Sequence, residues 1–166
     1  MTRLILRTLA AILVVVFITA TAQEASDDTV LRPDLQPSTD LAPEEVVRIQ
    51  LEALANNDDP YPDAGIELTF RFASPGNKQV TGPLERFIPL VKNPTYRDMI
   101  DHVAADYGRM RVNGDLAQQV VTLTTPDGRR VEYTFTLTRQ RGGEFDGMWM
   151  TSGVAPTRQS SPTDVV

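Results

Sequence analysis

Two pairs of adjacent residues combine side chains that could transfer a proton. They are Asp101-His102 and Asp106-Tyr107, and His102 is the single histidine of the chain. In an apolar cavity, a carboxylate or imidazole can abstract a proton next to a carbonyl, and a phenol can stabilise the enolate. Neighbours on a strand point to opposite faces, so each pair can offer one member to such a cavity. We expect His102 at a helix-to-strand junction with solvent access, and the Tyr107 ring in the core.

A second group of residues offers hydrogen-bond donors for an anionic ligand, and consists of Arg71, Asn77, Lys78, Thr81 and Arg86. A guanidinium with nearby amide and hydroxyl donors can hold a carboxylate or a phosphate. Trp149, between Met148 and Met150, could form the floor of an apolar pocket. Each feature also has a structural explanation: Arg86 can pair with surface charges, residues 74–77 can simply turn the chain, and Trp149 can fill the core.

The composition argues against several classes of site. The 166 residues include no cysteine and one histidine, so thiolate metal sites and disulfides are excluded. Asp58, Asp59 and Asp63 lack the periodic acids and the glycine of an EF-hand, and we predict no metal site and no cofactor. The 22 acidic residues outnumber the 16 basic ones, which argues against a nucleic-acid partner.

The N-terminal segment has the pattern of an export signal. Arg3 and Arg7 precede an uncharged apolar run at residues 9–18, and Ala20-Thr21-Ala22 gives a small-x-small cleavage pattern. The run is about half the ~20 residues that a membrane-spanning helix needs. We expect a signal peptide over residues 1–22, cleaved after Ala22, and a periplasmic or secreted protein with no membrane span. The alternative is an N-terminally membrane-anchored protein.

The rest of the chain divides into a linker, one domain and a tail. Residues 23–41 hold five acids and two prolines without a helical or strand period, which predicts a disordered acidic linker. The polar residues 157–166 predict a flexible tail. Residues 42–156 remain, a length typical of a single domain.

The first half of this domain has helical patterns. Val47, Leu51 and Leu54 form an apolar stripe in a helix that Asp40 would cap and that ends at residues 56–60. Residues 66–72 alternate like a strand, although a helical spacing also fits them.

A turn and two short helices should follow. Residues 74–77 are rich in turn formers. Pro83 fits the first position of a new helix, which Pro89 should kink or shorten, so residues 82–100 predict two short helical pieces.

The second half has the period of a sheet. Four β-rich runs begin with residues 107–112 and end with residues 145–154. Asn113-Gly114 and Asp127-Gly128 favour type I′ hairpin turns between them. The runs predict a four-stranded antiparallel meander with one apolar face and one threonine-rich face. Helices followed by a sheet predict an α+β domain.

Three segments carry a family likeness. Residues 47–54 (Val-Arg-Ile-Gln-Leu-Glu-Ala-Leu), 70–78 (Phe-Arg-Phe-Ala-Ser-Pro-Gly-Asn-Lys) and 81–87 (Thr-Gly-Pro-Leu-Glu-Arg-Phe) resemble the DUF4864 family, over roughly residues 44–155. That family looks like a member of the NTF2-like (SnoaL-like, cystatin-like) superfamily. The resemblance implies a cone in which N-terminal helices pack on a curved four-stranded antiparallel sheet and leave a pocket. It also implies a second helix at residues 64–73.

The expected function is binding, with two alternatives. We predict an exported domain of unassigned activity that binds a small molecule or a protein partner in or around the cone. The predicted binding residues are Arg71, Asn77, Thr81, Arg86, Tyr107 and Trp149. Because NTF2-like folds host isomerases and dehydratases, the first alternative is a small cofactor-independent enzyme of that type, using Asp106 or His102. The second is a homodimeric interaction module, joined through the sheet face that carries Thr134, Thr136 and Thr138.

Overall fold

The computed structural model describes residues 34–157. The predicted signal peptide, residues 23–33 of the predicted linker, and the tail from residue 158 lie outside the described residues. The helices are α1 (Pro43–Ala55), α2 (Ala64–Arg71), α3 (Pro75–Thr81) and α4 (Leu84–Val91), followed by a 3₁₀ turn at Arg97–Met99. The strands are β1 (Ala104–Tyr107), β2 (Arg111–Asn113), β3 (Leu116–Thr124), β4 (Arg130–Arg139) and β5 (Trp149–Pro156). This order confirms the α+β class.

The strands form an open antiparallel sheet in the order β1-β3-β4-β5, and β2 pairs with β3 along the same side as β1. The part of the chain described therefore has five strands, so the prediction of four is wrong. The predicted strand at residues 107–112 is interrupted at Gly108. There the backbone approaches β3 so closely that a Cβ would lie 2.7 Å from the Val120 oxygen. The Gly108 N–H still donates to the Val120 oxygen at 2.9 Å, but the Gly108 carbonyl oxygen accepts from the Gln119 side chain at 2.8 Å.

Both predicted hairpins form, but their turns differ from the prediction. Asn113 is the last residue of β2 and pairs with Leu116, so Gly114 and Asp115 make the loop. Gly114 and Gly128 have positive φ angles of 60° and 83°, while the residue before each does not. A type I′ turn requires positive φ at both central residues, so the type I′ assignment is wrong.

Helix α1 buries the predicted stripe, since Val47, Leu51 and Leu54 are all buried in the core. Its N-cap is Ala42 and not the predicted Asp40. The Glu45 carboxylate accepts a hydrogen bond from the Ala42 backbone N–H at 2.7 Å and so substitutes for a capping side chain.

Residues 64–71 form a helix, as the family resemblance implied and against their alternating pattern. The helix packs so tightly on α1 that a Cβ at Gly65 would lie 2.1 Å from the Ala53 carbonyl oxygen. Asn57, just after α1, accepts the Gly65 N–H on its backbone oxygen at 2.9 Å and the Ile66 N–H on its side-chain oxygen at 3.1 Å. Asn57 therefore satisfies two of the free N–H groups at the start of α2.

Two further helical predictions need correction. Residues 74–77 are not a simple turn: Ser74 caps α3, and its Oγ accepts the Asn77 N–H at 3.2 Å. Pro83 is the N-cap of α4 and not its first residue. Pro89 lies inside α4, which ends two residues later, and the second predicted helical piece is the single 3₁₀ turn.

Part of the predicted linker lies against the domain. Leu35 and Leu41 pack on the hydrophobic core, and the Arg71 guanidinium donates to the Leu35 carbonyl oxygen at 3.1 Å. Between residues 34 and 157, no helix combines the length and the apolar composition that crossing a membrane requires.

Candidate functional site

A cavity of about 280 Å³ lies between the helices and the inner face of the sheet. Its volume is nearly twice the roughly 150 Å³ that suffices to bind benzene in an apolar protein cavity. The main apolar side chains that line it are Leu54, Phe87, Leu90, Val91, Met99 and Phe135. The main polar ones are Gln50, Thr69, Asn77, Thr81 and Thr151. An apolar enclosure with a few polar groups is typical of a small-molecule site.

Four of the polar residues form one hydrogen-bonded chain. The Gln50 amide is fully buried, and its Nε2 and Oε1 lie 2.9 and 3.0 Å from Thr151 Oγ1. Asn77 Nδ2 donates to the Thr151 carbonyl oxygen at 3.1 Å, and the Thr81 hydroxyl donates to the Asn77 carbonyl oxygen at 3.0 Å. The chain links α1, β5 and α3, and so groups the polar side chains in one part of the wall.

The segment between α2 and α3 fixes α3 beside the cavity. It runs along the free side of β5: Thr151 N–H donates to the Phe72 oxygen at 2.9 Å, and Ser74 N–H donates to the Thr151 oxygen at 2.8 Å. Ala73 and Thr151 thereby form a parallel bridge. Phe72 and Ser74, which attach α3 to the sheet, belong to the segment 70–78 that resembles the family.

The predicted cationic donors do not line the cavity. Arg71 donates to the Leu35 oxygen and to Glu67 Oε1, the latter at 3.2 Å. Arg86 is exposed on α4. Of the predicted donors, only Asn77 and Thr81 contribute to the wall.

Lys78 is held on aromatic rings and not in the cavity wall. Its Nζ donates to the Arg71 carbonyl oxygen at 3.2 Å and lies 5.2 and 5.7 Å from the ring centres of Phe70 and Phe145. Burial lowers the pKa of Lys78, and the rings compensate the charge through cation–π contacts.

The two predicted aromatic binding residues also lie outside the wall. Trp149 is 5% exposed within the core, with the Arg139 guanidinium carbon 4.9 Å from its ring centre. Tyr107 is half-buried, and the Arg48 guanidinium carbon lies 4.7 Å from its ring centre. Burial raises the pKa of Tyr107. Their roles in binding stay predictions.

The candidate proton-transfer residues are separated from the cavity as well. His102 is buried, which corrects the expectation of solvent access, and its Nδ1 lies 2.8 Å from the Met99 oxygen. Burial lowers the pKa of His102, which keeps the imidazole neutral with Nδ1–H as the donor. Asp106 is exposed and pairs with Arg130 at 2.9 Å. No lining residue in the described part of the chain carries a carboxylate or an imidazole.

The acidic residues after α1 have structural partners. Asp58 Oδ1 accepts hydrogen bonds from Asn57 Nδ2 at 2.6 Å and from the Asp63 N–H at 3.0 Å. Lys92 Nζ lies 2.7 Å from the Asp63 carboxylate, and this contact lowers the pKa of Asp63. Among residues 34–157, no group of three His, Asp or Glu side chains is arranged to hold a metal ion.

Gln50 and Thr151, the two residues at the centre of the polar chain, were not among the predicted site residues. A signal for Gln50 was present, because it lies three residues after Val47 and four before Leu54, on the apolar stripe of α1. A polar residue on a buried stripe indicates a buried hydrogen bond. Thr151 had no comparable signal, since threonine is common in strands.

Comparison with known proteins identifies the family. No curated protein and no solved structure matches the chain. The profile of one family, described as Domain of unknown function (DUF4864), matches residues 38–163, which is most of the chain and includes the whole cavity wall. The chain therefore belongs to the DUF4864 family.

Proposed function

We propose that this domain binds a small molecule in the cavity between the helices and the sheet. The observation that carries the proposal is the cavity itself, which combines about 280 Å³ of space with a largely apolar wall and one connected group of polar side chains. A hydrogen bond to the Thr151 carbonyl oxygen holds the Asn77 side chain in place before any ligand arrives. Such preorganisation lowers the entropic cost of binding.

Binding is better supported than proton transfer. General acid–base catalysis needs a titratable group within hydrogen-bond reach of the reacting proton. His102 and Asp106 are engaged by Met99 and Arg130, away from the wall. The isomerase or dehydratase alternative would therefore require these side chains to reach a substrate outside the cavity.

Native mass spectrometry of protein purified from its host tests the proposal, with Val154→Trp as the cavity-filling variant. Val154 lines the cavity opposite Phe135, whereas Val120 lies opposite Thr134 on the other face of the sheet. Val120→Trp is therefore the matched control. We expect a retained small molecule in the wild type and in Val120→Trp, and its loss in Val154→Trp. Equal retention in both variants would show that the molecule binds elsewhere.

We also propose that the fold is an NTF2-like cone and that the protein is exported. Helices that precede an antiparallel sheet and enclose a cavity support the first proposal, and an experimental structure whose sheet is flat would contradict it. The apolar run at residues 9–18 and the Ala20-Thr21-Ala22 pattern support the second. The mature protein should then begin at Gln23 by intact mass, while a retained Arg3 would favour the membrane-anchored alternative.

The homodimer alternative rests on the outer face of the sheet. Leu116 and Val120 are 42% and 41% exposed there. The neighbouring threonines hydrogen-bond within the sheet, as in the 3.2 Å contact from Gln118 to Thr136 and the 2.6 Å contact between Thr138 and Ser152. Sedimentation equilibrium decides this alternative: a dimer that Val120→Glu dissociates would support it, and a monomer at micromolar concentration would exclude it.

A further inference from the structure

We propose that the ligand of this cavity is an uncharged molecule with an apolar body of about two fused rings and one hydroxyl group, and that this hydroxyl donates to the side-chain oxygen of Asn77. The inference rests on the proposed function and names the chemical class that this site selects. It differs from the carboxylate or phosphate that the cationic residues suggested. Four features of the wall lead to it.

The first feature is the absence of charge from the wall. Of the lining residues in the described part of the chain, none carries a charge at neutral pH. Two cations close in sequence to lining residues are used elsewhere, since Arg71 contacts Leu35 and Glu67, and Lys78 Nζ lies 5.2 and 5.7 Å from the ring centres of Phe70 and Phe145. A charged headgroup would lose its hydration here without gaining a counter-ion. The site therefore favours a neutral ligand.

The second feature is the separation of apolar and polar side chains. The hydrogen bonds that join Gln50, Thr151, Asn77 and Thr81 keep these four side chains together. The 3₁₀ turn and α4 supply apolar lining side chains, among them Met99, Phe87 and Leu90. A ligand that matches this wall has an apolar body and one polar end.

The third feature is the hydrogen-bonding capacity left at the polar end. Because a carbonyl oxygen can only accept, the contact with the Thr151 oxygen must come from the Asn77 amide nitrogen. The Asn77 side-chain oxygen then remains available, with no partner among the described residues. The Thr81 hydroxyl uses its proton on the Asn77 backbone oxygen and keeps its own acceptor capacity. The second hydrogen of the Asn77 amide nitrogen is also free, so this end of the cavity offers acceptors and one donor. A hydroxyl group matches it, because a hydroxyl can donate to the Asn77 side-chain oxygen and can also accept a hydrogen bond.

The fourth feature is size. The cavity of about 280 Å³ is nearly twice the roughly 150 Å³ that accommodates a benzene ring. A body of two fused rings is of the size that this volume suggests. We therefore choose naphthalene derivatives as probes, because they hold the body constant while the polar group changes.

Isothermal titration calorimetry at pH 7 with 2-naphthol, 2-naphthoate and naphthalene tests the inference. The full chain should bind 2-naphthol and naphthalene, and bind 2-naphthoate at least about tenfold more weakly than 2-naphthol because its carboxylate has no counter-ion. Asn77→Leu should weaken 2-naphthol binding by about fivefold, the value of one neutral hydrogen bond, and leave naphthalene binding unchanged. Gln79→Leu, on the exposed side of the same helix, is the matched control. Thr81→Val provides a second test that keeps the Asn77 contact with β5.

Each outcome separates this inference from the proposed function. Binding of 2-naphthoate as tight as that of 2-naphthol would overturn the uncharged class and leave the cavity as a binding site. Equal binding of 2-naphthol by wild type, Asn77→Leu and Thr81→Val would overturn the role of the hydroxyl. Failure of all three probes overturns the inference, and it overturns the proposed function too if the protein from its host retains no small molecule.

Discussion

The buried contact between Gln50 and Thr151 gives the sharpest test of the polar chain. Thr151→Val replaces the hydroxyl by a methyl group of similar size. Gln50 is 0% exposed and Thr151 is 3% exposed, so the Gln50 amide would lose its hydroxyl partner at Nε2 and Oε1 with little access to water. The substitution therefore isolates the effect of one hydroxyl on a buried amide.

The expected cost follows from the groups left without partners. A buried polar group without a hydrogen bond costs about 1–3 kcal/mol, so Thr151→Val should lower the free energy of unfolding by about 2–3 kcal/mol. Gln50→Leu leaves only the hydroxyl unpaired and should cost about 1–2 kcal/mol. The double variant replaces both polar groups by apolar ones and should cost less than about 1.5 kcal/mol, because nothing polar is left unpaired.

Urea denaturation of the wild type, both single variants and the double variant measures this coupling as a double-mutant cycle. Thr136→Val, which removes a half-exposed hydroxyl on the outer face, is the control and should change stability by less than about 0.5 kcal/mol. A double variant whose cost equals the sum of the single costs would refute the reasoning. It would mean that the two side chains do not depend on each other for their hydrogen bonds.

Three further predictions concern the elements around the site, and all are measured by urea denaturation. Gly65→Ala should lower the free energy of unfolding by about 3 kcal/mol or prevent folding, because the new Cβ would lie 2.1 Å from the Ala53 oxygen. The control is Gly76→Ala, whose Cβ would have its nearest neighbour at 4.0 Å and which should be neutral or slightly stabilising. Equal effects of these two substitutions would contradict the close contact of α1 and α2. Ser74→Ala removes the cap of α3 and should cost about 1 kcal/mol, while a cost near zero would show that α3 does not depend on this cap. Burial lowers the pKa of His102 in the folded protein below its usual 6.5. As the pH falls, the histidine is therefore protonated in the unfolded chain before it is protonated in the folded one, and the free energy of unfolding should decline as the pH falls through 6.5. Because the chain has one histidine, His102→Gln should remove this decline in stability between pH 7.5 and 5.5. A decline of the same size in His102→Gln would show that other titrating groups cause it.

The elements with a strong period could be predicted from the sequence. The stripe of Val47, Leu51 and Leu54 predicted α1. The period-two pattern predicted a sheet with one apolar face, and on β4 that face consists of the buried residues Tyr133, Phe135 and Leu137. Helix α2 could be predicted only from the family resemblance. Its packing on α1 depends on the absence of a side chain at Gly65, and the spacing of apolar residues does not show such a close contact.

Elements without a period were missed or misplaced. Helix α3 has seven residues and none of them is buried, so it leaves no apolar stripe, and its start at Ser74-Pro75 has the composition of a turn. The division of one predicted strand into β1 and β2 depends on the close approach of Gly108 to Val120, a contact between strands that a single segment cannot reveal.

The candidate site was predicted only in part. Asn77 and Thr81 were identified as donors and both line the cavity, but the arginines were grouped with them because they are neighbours in sequence. Helix geometry separates them: within α2, Arg71 is oriented toward Glu67 four residues earlier and toward Leu35. Side-chain direction within short helices is what the sequence could not supply.

The attachment of residues 72–74 to β5 has a consequence for solubility. An outermost strand with free N–H and carbonyl groups is a template on which a second molecule can add a strand and begin to aggregate. At Thr151, both outward backbone groups are already taken, by Phe72 and Ser74. The chain thus blocks intermolecular strand addition at this point with the same segment that attaches α3 to the sheet, and variants that detach this segment should aggregate.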